Sequence, residues 1–371
     1  MRTASLASIY DQPGPFATVL VDVSEEGGGG ERQHELRVKD AVTELEHQDA
    51  PEQVRELVRA ELDADVHTAA PVARVVVAND SGVLLSGELR ERVDRPVVQW
   101  GTLPALTPWV RLQDASVPFA LVLADREGAD IEVHRASSAP EVEQGETHGE
   151  TFHMTKVNTG DWSMKRYQRH AEEVWRRNAE ETVEAVDSLV REGIELVVLA
   201  GDERACSDIR DGVGEEARVS LVRLDSGGRA AGSSREQLDA QIRELIVGRV
   251  VQRRLVEARE LEQRVGQGSG AVSGADAVLD AFVQGQVDRV LLDPGAARTQ
   301  RVRVSEHEGL DLGPASGGDT GELPLDDVVV AAAARTGADV VVVPDSVLDG
   351  APVAALLRWD AHGGGAGDET G

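Results

Sequence analysis

The residues best suited to chemistry lie together between Trp162 and Arg177, in the run WSMKRYQRHAEEVWRR. Lys165, Arg166, Arg169, His170, Arg176 and Arg177 stand there against Glu172 and Glu173, the most basic short stretch of the chain. Guanidinium forks and the free backbone N–H groups of a helix start both select phosphate oxygens, so this pattern suits phosphate or RNA. Trp162 and Tyr167 could stack on bases. A charge run of this kind is more commonly a solvated helix face, and that alternative stands beside the first. His148, His153 and His170, with Glu146 and Glu150, have the composition of a zinc site. The H-E-x-x-H spacing that puts two imidazoles on one helical face is absent, so no metal is expected. Neither a GxGxxG nor a Walker A loop is present, and no GxSxG elbow. No cofactor is therefore expected, and nucleotide hydrolysis and dinucleotide redox chemistry have no support. The glycines of GQGSGAVSGAD precede a helix and could cradle an anion, but a linker is the commoner explanation.

The bulk of the chain opposes a polyanion partner. Its 371 residues carry a net charge of −29, and Lys39, Lys156 and Lys165 are its only lysines. Phosphate neutralisation supplies most non-specific nucleic-acid affinity, so only a local basic patch could hold RNA. The single cysteine, Cys206, excludes an intrachain disulfide or a CxxC pair and fits a reducing compartment. Beside a strand it reads as core filler. No apolar run approaches the roughly 18 residues of a membrane span, and the first residues lack a signal-peptide apolar region. A cytoplasmic, non-membrane protein is expected, with self-association left open.

The elements that must position the basic run form an α/β pattern. FATVLVDV (16–23) reads as a strand, helices follow from Glu31 to about Glu46 and after Pro51, and ARVVVAND with GVLLSGEL reads as a hairpin. A second unit opens on the hairpin PFALVLADREGADIEVHRA, then a polar stretch over 137–162 that is expected to be mobile. A long helix over about 163–191, the strand IELVVLAG, a strand near 219–224 and a long helix from Ser234 to about Val265 complete it. After GQGSGA come a helix to Val283, the strand VDRVLLD, a loop over 294–322, the helix DDVVVAAAARTG ending on a glycine, and the strand ADVVVVPD. These divide the chain into an N-terminal α/β domain at 1–114, a second domain at 115–265, a C-terminal domain at 266–360 and a tail at 361–371 expected to be disordered. Aromatics at 3% leave Val, Leu and Ala to fill the cores.

Two segments carry a family resemblance. The stretch GAVSGADAVLDAFVQGQVDRVLLD with ADVVVVPDSVLDGAPVAALLRW resembles the third domain of archaeal and eukaryotic class 1 release factors and Pelota. That domain is an α/β/α fold shared with kink-turn-binding ribosomal proteins. Gly160-Asp161-Trp162-Ser163-Met164-Lys165-Arg166-Tyr167, with Arg169, corresponds to the loop and helix that bear Gly-Gly-Gln in the second domain of the same factors. Nearly the whole chain is thus similar to bacterial members of the archaeo-eukaryotic release factor family, related to ribosome quality-control peptidyl-tRNA hydrolases, most clearly after Pro118. The resemblance implies a three-domain release-factor-like α/β protein that meets the ribosome or tRNA and hydrolyses peptidyl-tRNA. Gly160, Trp162, Ser163 and Gln168 would form its catalytic loop, and Lys165, Arg166, Arg169, His170, Arg176 and Arg177 its RNA contacts.

The departure lies at the tip. Asp161 replaces the second glycine and Trp162 stands in the glutamine's place, and an indole cannot position water as an amide does. Gln168, one helical turn on, is the candidate substitute. A non-catalytic ribosome- or RNA-binding stress factor, or a protein-binding module that has lost RNA contact, are the alternatives. The N-terminal unit resembles no stop-codon-reading domain, so codon-dependent termination is not expected.

Overall fold

The structure, a computed structural model, describes residues 3–24, 30–65, 72–89, 92–93, 95–125, 128–134, 151–153, 179–225, 235–314 and 321–359. It is mixed α/β and separates into two compact units. One gathers the chain up to Ala115 and from Gln252 onward, and the other takes the described residues from Ser116 to Val251.

In the first unit, strands Gly82–Leu89, Ala73–Asn79, Phe16–Asp22 and Val97–Gly101 lie side by side in that order, all antiparallel. Phe16–Asp22 has almost no polar alternation because both of its faces are covered. Ala17, Val19 and Val21 point at the helices Gly30–His47 and Glu52–Leu62, meeting Val38, Val42, Leu45, Val54 and Val58. Phe16 and Leu20 point the other way, into a cluster that runs from Leu6 and Tyr10 through Trp109 to Val328 and Leu357. The strand Val97–Gly101, the helix Thr107–Ala115 and the short N-terminal turns Ala4–Leu6 and Ala7–Tyr10 were not anticipated. They are too short for periodicity to reveal and form by packing on longer partners.

The C-terminal part of this unit has a second sheet, in the order Ala271–Ser273, Val353–Leu357, Val287–Leu292 and Asp339–Val342. Val287–Leu292 and Asp339–Val342 are parallel, whereas Val353–Leu357 runs antiparallel between its neighbours. The loop expected over 294–322 holds more structure than that. A helix Pro294–Thr299 is capped by Asp293, and Arg301–Arg303 pairs with Glu322–Pro324, where Arg303 and Glu322 form a 2.9 Å ion pair. These pieces close by tertiary pairing, which a Gly- and Asp-rich composition does not signal. The helix Leu325–Thr336 is apolar all round because it is buried all round: every residue from Leu325 to Ala334 is inside. It stops where Gly337 adopts a left-handed φ of 67°, which a glycine reaches without a Cβ clash.

Along the sequence the N-terminal and C-terminal segments are far apart, yet their side chains share one buried cluster. Thr3 Oγ1 donates to the Ala338 carbonyl at 2.6 Å, and Arg335 bridges Asp11 and Asp311. Each fully buried Val or Leu in that cluster contributes roughly 1.5–3 kcal/mol.

The second unit is a five-stranded sheet in the order Thr151–His153, Gly128–His134, Phe119–Asp125, Leu196–Gly201 and Leu221–Arg223. The first three strands are antiparallel and the last three parallel. Val186, Leu189 and Val190 of a helix over 179–191, with Cys206 and Ile209 of Glu203–Gly212, cover one face. Leu238, Ile242 and Val250 cover the other. They come from the helix Arg235–Gln267, a single element whose residues up to Val251 belong to this unit and whose later residues belong to the first.

Candidate functional site

Every residue singled out for chemistry by the sequence, Gly160, Trp162, Ser163, Lys165, Arg166, Gln168, Arg169, His170, Arg176 and Arg177, lies outside the described residues. So do the side chains of His148, His153, Glu146 and Glu150. The ends that hold residues 154–178 are described. On one side Thr151–His153 pairs with the hairpin strand, Glu132 opposite Thr151 and Asp130 opposite His153. On the other, the helix over 179–191 is seated by Val186, Leu189 and Val190, and its Asp187 accepts from Gly214 N–H at 3.0 Å. The described residues on either side of 154–178 thus belong to one unit, a strand at the edge of its sheet and a helix packed on it.

The hairpin strand beside that splice alternates: Ala129, Ile131 and Val133 are buried, and Asp130, Glu132 and His134 are half-buried. The His134 ring stacks on Phe119 with centroids 4.3 Å apart and planes 10° apart, and its Nε2 is 3.8 Å from Glu132 Oε2. Cys206 is buried, and burial pushes its thiol up, with Arg223 opposing and Asp202 adding to the rise. A thiol held protonated is core, as its place in the sequence suggested. Among the described residues no cluster of three or more His, Cys, Asp or Glu could hold a metal.

A second constellation was not anticipated. Asp326 and Asp327 open the buried helix Leu325–Thr336, both almost wholly inside at 2% and 1% exposure. Arg298, from the helix Pro294–Thr299, reaches both: Nη1 is 2.8 Å from Asp327 Oδ2 and 3.5 Å from Asp326 Oδ1. Arg298 Nη2 also donates to Gln99 Oε1, and Gln99 Nε2 donates to Asp327 Oδ2 at 3.4 Å. Thr107 faces Asp326, and Tyr10, fully buried, has no hydrogen-bond partner for its hydroxyl among the described residues. Burial and then the charge of Asp326 push Asp327 up to about 7, against the pull of Arg298 and Gln99. Burial raises Asp326 too, against Arg298. Burial, then Asp327 and Asp326, also hold the Tyr10 phenol protonated. One guanidinium thus serves two buried carboxyl groups. The signal was present in LPLDDVVVAAAARTG: a helix apolar on every face carries its first-turn acids inside with it.

Residues 118–267 match the model of bacterial archaeo-eukaryotic release factor family 2. Over those residues the chain is similar to that family of release factors. Two uncharacterized proteins from strains of Mycobacterium tuberculosis are each 24% identical over 374 residues, covering 97% of this chain and 98% of theirs. Among solved structures, Archaeoglobus fulgidus Pelota shares 15% identity, with 97% of this chain and 93% of that one covered and a TM-score of 0.35. An archaeal Pelota in a ribosome-bound model with ABCE1 shares 16% identity over 96% and 93%, at a TM-score of 0.43. The S. cerevisiae translation termination-like factor Dom34 shares 9% over 98% and 94%, at 0.40. The family match begins at the first strand of the second unit, encloses the basic run and ends with the long helix. Asp326, Asp327 and Arg298 lie beyond it.

Proposed function

We propose that this chain is a ribosome- or tRNA-associated factor that presents the basic run Trp162–Arg177 to RNA and hydrolyses peptidyl-tRNA there, as in ribosome rescue or quality control. One observation carries the reading: the release-factor match over 118–267 encloses that run, and the described residues flanking it are packed in the same unit. Lys165, Arg166 and Arg169 would grip phosphates, with His170, Arg176 and Arg177 extending the contact along the run, and Gly160 to Ser163 would form the tip beside the ester. The same reading gives 266–360 the α/β/α shape of the kink-turn-binding type, here sharing its core with the N-terminal segment, and the mixed sheet with helices against it supports that shape. A second reading is favoured by the tip itself. With Asp161 and Trp162 in place of glycine and glutamine, the chain would occupy ribosomes without releasing peptide.

Co-sedimentation with ribosomes across a salt series, paired with peptide release from stalled complexes, separates these. Binding must weaken steeply with salt, and neutralising Lys165, Arg166 and Arg169 together should reduce the log–log slope by about 2 to 3. Release that depends on Trp162, Ser163 or Gln168 establishes the hydrolase. Binding without release leaves the non-catalytic factor. No binding at low salt removes both, and favours a protein-binding module.

A further inference from the structure

We propose that the cluster Asp326, Asp327 and Arg298 is a proton-operated clasp: with one of its carboxyl groups protonated it fastens the helix Leu325–Thr336 to the N-terminal segment, and on losing that proton it loosens the seam. The geometry joins parts remote in sequence. Arg298 and the two aspartates belong to the C-terminal segment, while Gln99, Thr107 and Tyr10 come from the strand Val97–Gly101, the helix Thr107–Ala115 and the N-terminal turn Ala7–Tyr10. Among the described residues, the titratable and charged groups that bear most on the pair are Arg298 as the cation, each aspartate on the other, and the buried Tyr10 phenol. Arg335, at the far end of the same helix, is engaged by Asp11 and Asp311.

With one carboxyl protonated, a single negative charge meets a single guanidinium and the buried cluster is neutral. With both ionised it carries an uncompensated negative charge at almost inaccessible positions, which the interior disfavours. The nearest neutral neighbours relieve little of this. Gln99 offers one N–H at 3.4 Å, while its carbonyl oxygen is taken by Arg298. The proton leaves near neutral pH, because burial and mutual repulsion both favour the protonated acid. The seam is therefore tight in mildly acidic solution and looser above neutrality.

Thermal unfolding of the full chain and of Asp327→Asn between pH 6 and 8.5 tests this. The asparagine imitates the protonated acid without titrating. Wild type should lose roughly 5 °C more than the variant over that range. Amide exchange in Val97–Gly101, corrected for its intrinsic pH dependence, should accelerate about tenfold in wild type alone if that linkage is expressed as local opening. Parallel melting profiles overturn the proposal. Should Asp327→Asn fail to fold, a carbon-13 carboxyl titration of wild type decides: a buried aspartate titrating near neutral pH supports the clasp, and two ordinary carboxyl titrations overturn it.

Discussion

Arg298 is the residue on which the buried acid pair depends. Removing it as Arg298→Ala leaves Asp326 and Asp327 buried without the guanidinium that pairs with both. Breaking a fully buried pair costs about 3–5 kcal/mol, and because the guanidinium side chain is 43% exposed, a loss of about 2 kcal/mol is expected here. The sign of its pH dependence follows from Asp327. A carboxyl whose folded pKa is raised to about 7 lends its full stability below its unfolded value near 4, and that contribution drains away as pH rises through 7. The Arg298→Ala defect should therefore be larger at pH 8.5 than at pH 5.5 in urea denaturation, and equal defects at the two pH values would refute this account. The residues named for catalysis were legible in the sequence only as types and spacings. What surrounds Trp162, Ser163 and Gln168 is a matter of side-chain approach, which spacing does not specify.

Between strand and helix, one glycine sets a limit on what the second unit tolerates. Gly201 ends the strand Leu196–Gly201 with φ of 124°, and a Cβ there would meet the Ala124 carbonyl oxygen at 2.0 Å. The next residue, Asp202, caps the following helix through Arg204 and Ala205 N–H at 3.0 and 3.1 Å, so the backbone cannot swing aside without losing the cap. Gly201→Ala should cost at least about 2–3 kcal/mol, combining backbone strain with that clash, and a melting point within 2 °C of wild type (our order-of-magnitude threshold) would contradict the geometry. The long helix Arg235–Gln267 makes a complementary point. Its alternating arginines and glutamates have the composition of a solvated helix face. In the structure Glu257 and Glu260 receive Arg289 from the strand Val287–Leu292 at 2.5 and 2.7 Å, so part of that face is an ion-paired joint. Apolar spacing located the helix; a partner about thirty residues away decided which of its charges stay in water.

Taken as one body, the chain is dominated by its net charge of −29. Self-repulsion of that size opposes the compact state and is screened over about 8 Å at physiological ionic strength. Raising sodium chloride from about 0.05 to 0.5 M, a span over which the Debye length falls severalfold, should raise the melting point by a few degrees despite weakening surface ion pairs. A fall would mean that the ion pairs around Arg289, Arg298 and Arg335 outweigh the repulsion. Among the described residues no helix is long and apolar enough to cross a membrane.

The sequence by itself determined the α/β class, the hairpins Ala73–Asn79 with Gly82–Leu89 and Phe119–Asp125 with Gly128–His134, the long helix and the Val-rich strands of the C-terminal segment. Period-2 and period-3.6 patterns, turn residues and a terminal glycine encode these within a dozen residues of chain. Three outcomes belonged to tertiary structure alone: the antiparallel place of Val353–Leu357 inside its sheet, the joining of the first and last segments in one core, and the burial of Asp326 and Asp327 beside Arg298. Each depends on contacts between residues tens to hundreds of positions apart. Local propensity carries no information about such contacts, because the free energy that selects them comes from apolar surface and charge brought together only when the chain is packed.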